Sequence, residues 1–267
     1  MNSFWYVLLL ALLPGAGNFA GGMVAEFGKT SPRLLNWALH AASGIVIAIV
    51  AVELVPEALG KLAGWWIAAA FAAGGAAYVL MEMLVERLQG QGGGGERTGM
   101  WMIYVAVAAD LVSDGLMLGT GSAVSSSLGL VLAAGQVLAD LPEGYATVAN
   151  FRDKGVPRRK RILLSASFFF YVVGAALLAY FLLRAASEGL KMAALVFVAG
   201  LLTVAAVEDM LEEAHEARED NRLSVLAFIA GFALFTLASA GLEAVVGRGD
   251  GAGTGGGTVQ GRDAGEG

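Results

Sequence analysis

The chain has no cysteine and only two histidines, His40 and His215, in 267 residues. The lack of cysteine excludes disulfide bonds, thiolate metal sites and cysteine nucleophiles. Two histidines are too few for a histidine-rich zinc site, and they disfavour a histidine-based catalytic triad. Charged residues are also scarce, at 15% of the chain, where soluble domains have about 25%. The sequence is therefore not that of an ordinary soluble domain.

What the chain has in excess is apolar residues, which make up 57% of it. They fall in blocks of about 20 residues, long enough to cross a hydrocarbon core as helices. We predict an all-α integral membrane protein with eight transmembrane helices in residues 1–246, followed by a glycine-rich, disordered tail over 247–267. The predicted spans are Phe4–Phe27, Leu34–Leu59, Gly64–Leu88, Met100–Gly119, Leu128–Phe151, Ile162–Arg184, Leu190–Leu211 and Leu223–Val246.

The basic residues predict the orientation of these spans. No lysine or arginine precedes Lys29, so residues 1–22 lack the charged start of a signal peptide and are interpreted as part of a membrane helix. Of the 17 basic residues, 12 fall in the loops on one side of the spans and 5 on the other. The positive-inside rule then places both termini outside a multi-pass cell-membrane protein. The cluster of basic residues over 152–161 is expected to meet anionic lipid heads, and the net charge of −6 argues against nucleic acid as a partner.

The second and seventh predicted spans share a short acidic pattern. Residues 52–57 align with residues 207–212, so that Glu53 matches Glu208 and Glu57 matches Glu212. With three spans before and three after a central pair (1–88, 100–151 and 162–246), this alignment predicts a 3+2+3 arrangement with inverted repeats, a common plan of transporters. The four acids are expected to attract cations at the two ends of a pathway; solvated helix ends are the alternative.

The most informative residues lie in the central pair of spans. In the fourth span Asp110 and Asp114 are four residues apart and share one helix face, which Ser113 and Met117 extend. Asp110 lies ten residues from the inner end of its span, or about 15 Å at 1.5 Å per residue. An ionisable group at that depth is costly and usually functional.

The fifth span carries a matching polar stripe, which begins with Gln136, Asp140 and Glu143. Asp140 lies about 18 Å from the outer end of its span, so the two acidic stripes reach similar depths. Pro142 is expected to kink this helix. Between Met100 and Phe151 there is no lysine, arginine or histidine to neutralise these acids. We therefore expect a bound cation; acids that are protonated and hydrogen-bonded across the helices are the alternative.

On the first span, two polar residues, Asn18 and Glu26, are predicted to make hydrogen bonds that support helix packing.

Two short motifs resemble those of the ZIP family of divalent-metal transporters. Residues 110–115 read Asp-Leu-Val-Ser-Asp-Gly, where the family has His-Asn-x-x-(Asp/Glu)-Gly. Residues 139–144 read Ala-Asp-Leu-Pro-Glu-Gly, where the family has (His/Gln)-(Glu/Asp/Asn)-x-Pro-(His/Glu)-(Glu/Gly), and this ending is most similar to the bacterial branch. The resemblance covers about residues 4–246. It implies inward transport of a divalent metal, as substrate and not as a resident cofactor, with Asp110, Asp114, Asp140 and Glu143 as its ligands.

The departures from the family pattern concern the nitrogen and sulfur donors. Asp110, Leu111 and Ala139 replace the histidine, the asparagine and the histidine or glutamine of the motifs, and the second span contains no methionine. A site of oxygen donors suits Mn²⁺, Mg²⁺, Ca²⁺ or Fe²⁺ better than a histidine site does, although Zn²⁺ also accepts carboxylates. The sequence leaves the choice among zinc, manganese and iron open.

Two other functions compete with transport. One is a degenerate ZIP-like protein that binds or senses metal without transporting it. The other is an intramembrane hydrolase that uses paired aspartates. The favoured interpretation is a transporter without enzymatic activity, whose partners are divalent metal ions and the lipid bilayer. The oligomeric state stays open, with a homodimer as one option.

Overall fold

The computed structural model describes residues 3–29, 31–89, 96–211 and 222–252. These residues form helices and no strand, which confirms the predicted all-α class. The helices are α1 (Ser3–Phe27), α2 (Pro32–Ala48), α3 (Val55–Ala58), α4 (Gly64–Gln89), α5 (Glu96–Val124), α6 (Ser126–Asp153), α7 (Arg158–Leu183), α8 (Glu188–Ala205) and α9 (Arg222–Ala252). A π-helical segment, π1 (Ile49–Leu54), joins α2 to α3, and a second, π2 (Ala206–Met210), follows α8.

Seven of the helical segments within these ranges are long and apolar enough to cross a membrane, as expected of a membrane protein. The predicted fifth span, now α6, is not among them, because its stripe of polar residues makes it less apolar than the others. That polarity is enclosed by protein. More than half of the residues of α6 are buried, and the helix contacts α1, α2, α5, α7 and α9.

The fourth predicted span ends too early, at Gly119, and the fifth begins slightly too late, at Leu128. α5 continues to Val124, and Ser125 is the only residue between α5 and α6. The Ser125 hydroxyl accepts a hydrogen bond from the Leu128 backbone N–H at 3.0 Å and so caps α6. The local sequence is rich in glycine and serine, which have low helix propensity. Gly119 nonetheless packs closely on the backbone of α7, and this tertiary contact favours the continued helix. At the other end of the chain, α9 runs past the predicted limit of Val246 to Ala252, and residues 253–267 lie outside the described residues.

The two π-helical segments were not predicted from the sequence. Each one lies in a helix that carries the acidic pattern, so that π1 includes Glu53 and π2 includes Glu208. A π turn inserts one residue into a helix, shifts the backbone hydrogen bonds and occurs often at functional sites. The Ser43 hydroxyl on α2 donates to the backbone oxygen of Ala206, the first residue of π2, at 3.0 Å. This hydrogen bond ties the two irregular helices together.

Close helix contacts at glycine define two pairs of helices around the central acids. A Cβ atom on Gly21 of α1 would overlap the Leu141 backbone of α6, and one on Gly144 of α6 would overlap the Asn18 backbone of α1. A Cβ on Gly115 of α5 would likewise overlap the backbone of α7. These glycines let the backbones approach more closely than any other residue would allow. α1, α5, α6 and α7 therefore form one closely packed group.

The same device joins the remaining helices in two further pairs. Gly44 of α2 lies against the Phe228 backbone of α9, and Gly74 of α4 lies against the Phe197 backbone of α8. The two sets of helices meet mainly where α2 contacts α6 and where α5 contacts α8. Fully buried apolar side chains fill the space between them, including Ile49, Leu118 and Leu132.

At the predicted inner face, Glu26 of α1 accepts two hydrogen bonds from Arg161 of α7, both at 2.7 Å. Arg158 lies 3.3 Å from the same carboxylate. A bidentate pair of this kind fixes both distance and orientation. The predicted packing role of Glu26 is confirmed, and part of the basic cluster over 152–161 binds the protein itself.

We expect Gly74→Ala to destabilise the fold, because the added methyl group would overlap the Phe197 backbone oxygen and overpacking costs about 1–3 kcal/mol. The measurement is the thermal unfolding midpoint of the purified protein in detergent, followed by tryptophan fluorescence. Gly174→Ala is the matched control, because nothing lies within 4 Å of its added Cβ. Alanine is also the better helix former there. Equal midpoints for the two variants would contradict the close packing of α4 on α8.

Candidate metal centre

Three acidic side chains from the two central helices meet inside the bundle. They are Asp114 of α5 and Asp140 and Glu143 of α6, and one carboxylate oxygen of each lies within 4.8 Å of those of the other two. Their exposed fractions are 3%, 0% and 5%. The two polar stripes seen in the sequence thus face each other, and the described structure places three of the four predicted ligands in one cluster.

The local sequence explains how α5 and α6 can bring carboxylates together. Asp114 and Glu143 are each followed directly by a glycine, and Gly115 packs on the backbone of α7 while Gly144 packs on that of α1. α6 continues as a helix through Pro142, which has no N–H group to donate to the Leu138 carbonyl one turn earlier. The acids therefore project from continuous, tightly held helices, which favours a preorganised site.

Gln136 connects the stripe on α6 to the cluster. Its Nε2 donates to Asp140 Oδ1 at 2.8 Å, and the same amide lies close to the Asp114 carboxylate. Gln136 Oε1 and Asp140 Oδ2 are both buried without a hydrogen-bond partner among the described residues. Two buried oxygen acceptors beside two further acids form a pocket of oxygen atoms that calls for a cation or a proton donor.

Asp110 lies beside this cluster and is 9% exposed. It is close enough to Asp114 and Asp140 to interact with both electrostatically, although it is not one of the three clustered acids. The Tyr78 hydroxyl of α4 donates to Asp110 Oδ1 at 3.3 Å. Tyr78 was not predicted as a site residue, because an aromatic residue in an apolar span gives no signal that distinguishes a hydrogen-bonding role from packing.

The charge of the cluster demands compensation. Two full charges 4.8 Å apart repel by about 3 kcal/mol at an effective dielectric constant of about 20. A single metal ion with oxygen ligands at about 2.0–2.6 Å would hold opposite ligands about 4.0–5.2 Å apart. The observed spacing of the three oxygens therefore fits one divalent cation with little rearrangement.

The two accessory residues predicted on the fourth span do not extend the cluster. The Ser113 hydroxyl donates to the Ala109 backbone oxygen of its own helix at 3.0 Å. Met117 is fully buried and packs in the apolar core. Both side chains occupy the predicted face of α5, but the contacts they make are structural.

Of the acids predicted for the two ends of a pathway, the three that the structure describes do not join the central cluster. Glu53 is 8% exposed and accepts a short hydrogen bond from Ser239 of α9. Glu57 pairs with Lys61 at 2.5 Å. Glu208 is exposed, as expected of a solvated helix end, and Glu212 lies outside the described residues.

Asn18 of α1 differs from its predicted role. Its side chain is 1% exposed, yet neither Nδ2 nor Oδ1 has a hydrogen-bond partner in the described ranges. The prediction that this amide makes packing hydrogen bonds is therefore wrong for the part of the chain that the structure describes. A polar residue in an apolar helix was the available signal for a hydrogen bond.

Comparisons with known proteins do not identify the chain. No protein-family model matches it, and no curated protein matches it.

We expect Mn²⁺ to raise the thermal unfolding midpoint of the wild-type protein. An ion that binds only the folded state stabilises it by about 2.7 kcal/mol when its free concentration is about 100 times its Kd. Asp114→Asn and Glu143→Gln should each remove this shift. Glu188→Gln, which removes one exposed carboxylate from the start of α8, should keep it. A wild-type midpoint that no divalent cation moves would contradict the metal centre.

Proposed function

We propose that the protein is a ZIP-like transporter that moves a divalent metal cation across the membrane, with Asp114, Asp140 and Glu143 as the central ligands and Asp110 beside them. The observation that carries the proposal is the cluster of three buried carboxylates drawn from two adjacent apolar helices. Ionisable groups inside membrane helices are rare, and they mark ion pathways when they face the interior of a bundle.

A cation explains the cluster better than protons do. Protonated acids would be expected to donate hydrogen bonds across the helices. Asp140 Oδ2 is instead buried without a hydrogen-bond partner among the described residues, and so is Gln136 Oε1. Buried oxygen atoms that lack a donor, beside further carboxylates, are the arrangement that a metal ion requires.

The pairing of helices supports an inverted repeat. Under the predicted arrangement the first three spans (α1, α2 with α3, and α4) correspond to the last three (α7, α8 and α9), and α5 corresponds to α6. When each helix is replaced by its counterpart, the contacting pair α1 and α6 becomes α7 and α5, which are also in contact. In the same way, the contacting pair α2 and α9 becomes α8 and α4, which are in contact as well. It also places π1 opposite π2, in agreement with the match of Glu53 to Glu208. Transporters of this plan bind their substrate at the interface of the repeats.

The burial of the central residues supports an inward route. The exposed fraction is 0% at Gln136 and Asp140, and it rises to 5% at Glu143 and 9% at Asp110. The last two lie on the cytoplasmic side of the cluster in the topology that the basic residues predict. On the other side, Leu118 is fully buried one turn beyond Asp114. The greater exposure on the predicted inner side supports release of the ion toward the inside.

The two competing functions make different demands on the same residues. A hydrolase with paired aspartates needs two acids and access for a substrate bond, whereas this cluster has three acids and is almost fully buried. A sensor without transport would use the same ligands and differ only in flux. The transport measurement therefore separates these functions.

We expect purified wild-type protein in liposomes to take up Mn²⁺, measured with a trapped fluorescent indicator. Asp114→Asn and Glu143→Gln should lower the rate by at least about tenfold, the loss found even for residues that only support a metal's ligands. Glu188→Gln should transport at the wild-type rate. Metal binding without flux in the wild type would favour the sensor, and flux that survives in both site variants would refute the proposed pathway.

We further expect the wild-type protein to transport Mn²⁺ in preference to Zn²⁺, because the centre offers oxygen donors where Asp110 and Ala139 replace nitrogen donors. Competition between the two ions for uptake into the same liposomes measures this preference. The variant Ala139→His, which adds a nitrogen donor beside Asp140, should shift the preference toward Zn²⁺. A strong wild-type preference for Zn²⁺ would overturn this expectation.

A further inference from the structure

Asn18 is a polar residue on the most buried face of α1. Ala11, Asn18 and Ala25 recur at intervals of seven residues, and their exposed fractions are 0%, 1% and 0%. They therefore mark the centre of the face that α1 turns toward the bundle. A primary amide at such a position normally finds partners, because an unsatisfied buried polar group costs free energy. Both polar atoms of Asn18 lack a partner among the residues described.

The glycines around Asn18 show where its side chain points. Gly17 and Gly21 lie against the backbone of α6, at Val137 and Leu141. Gly15 lies against Phe169 of α7, and Gly22 lies against both Ser165 of α7 and α6. Asn18 falls between these two flanks on the helix surface. Its amide is therefore directed between α6 and α7, into the group of helices that also includes α5.

This direction leads to the carboxylate cluster. Gly144 of α6 lies against the Asn18 backbone, so tightly that a Cβ atom there would overlap it. Gly144 follows Glu143 directly, and Asp140 lies one turn earlier on the same face. The contacts of Gly17 with Val137 and of Gly21 with Leu141 show that α1 and α6 run parallel. Side chains of a helix tilt toward its N-terminus. The backbone of Asn18 contacts Gly144, so its amide should lie closer to the level of Asp140, one turn earlier on α6.

We propose that Asn18 belongs to the cation site and supplies a neutral carbonyl oxygen to the ion held by Asp114, Asp140 and Glu143. This inference rests on the proposed function. It accounts for an amide that is buried, lies on a helix packed closely against the one that carries Asp140 and Glu143, and has no protein partner among the described residues. The carbonyl oxygen would add a ligand without adding a fourth close negative charge.

An amide oxygen would bias the site toward ions with many oxygen ligands. Mn²⁺, Mg²⁺ and Ca²⁺ take six or more oxygen ligands, and amide carbonyls are among the usual ones. Zn²⁺ is commonly satisfied by four ligands. Asn18 should therefore contribute more to the binding of Mn²⁺ than to the binding of Zn²⁺, and removing it should change the ratio of the two affinities.

The test compares three proteins by calorimetric titration with Mn²⁺ and Zn²⁺, after each has been purified without metal. Asn18→Leu keeps the side-chain size and removes the amide. Ser165→Ala is the control. The Ser165 hydroxyl of α7 is also buried without a hydrogen-bond partner among the described residues, but it lies against Gly22, one turn farther along α1 than Asn18. Relative to wild type, Asn18→Leu should bind Mn²⁺ about tenfold more weakly and bind Zn²⁺ with a smaller loss. Ser165→Ala should bind both ions as the wild type does.

A second measurement distinguishes a ligand from a structural amide. Without metal, Asn18→Leu should unfold at the same temperature as wild type or a higher one, because it removes buried polar atoms that have no partner. A lower midpoint without metal would show that the amide supports packing and would overturn the proposal. Unchanged Mn²⁺ affinity in Asn18→Leu would overturn it as well, and would favour a buried water beside the amide. Wild-type protein that binds neither ion would overturn the proposed function together with this inference.

Discussion

Mutual repulsion among buried carboxylates is the constraint on which the rest of this structure depends. Asp114, Asp140 and Glu143 lie within 4.8 Å of one another at the centre of an apolar bundle. The three side chains are almost fully buried, and α5 and α6 have no lysine or arginine between Met100 and Phe151 to compensate their charge. Such an arrangement costs stability unless an ion or protons occupy it. A fold that nonetheless holds the acids together must draw its stability from elsewhere and must retain them for a function.

The glycine contacts are one source of that stability. Without a hydrophobic driving force between helices in a membrane, close backbone packing is a main contribution to association. Gly21 and Gly144 hold α1 against α6, and Gly115 holds α5 against α7. These contacts lie within a turn or two of the acids, so the packing that stabilises the bundle also fixes the spacing of the carboxylates. Stability and site geometry are therefore products of the same contacts.

Much of this arrangement was readable in the sequence, because apolar blocks and the helical period of Asp110, Asp114, Asp140 and Glu143 are local signals. The parts that were missed depend on tertiary contacts. The extension of α5 to Val124 requires packing on α7 to outweigh the flexibility of its glycines. No periodic pattern of residues in the sequence indicates the two π-helical segments or the hydrogen bond from Tyr78 to Asp110. A single sequence indicates which face of a helix is polar, but it does not indicate which neighbouring helix completes the site.

The choice of oxygen donors also bears on release. A transported ion must bind well enough to lose its water and weakly enough to leave. Histidine nitrogen suits Zn²⁺, whereas carboxylate and amide oxygens suit harder ions, which water oxygens also bind. Asp110 lies beside the cluster on its more exposed side, where a displaced ion would meet a carboxylate already oriented by Tyr78. Under the proposed function, an aspartate at this position would therefore affect two properties together, the preferred ion and the first step of its departure.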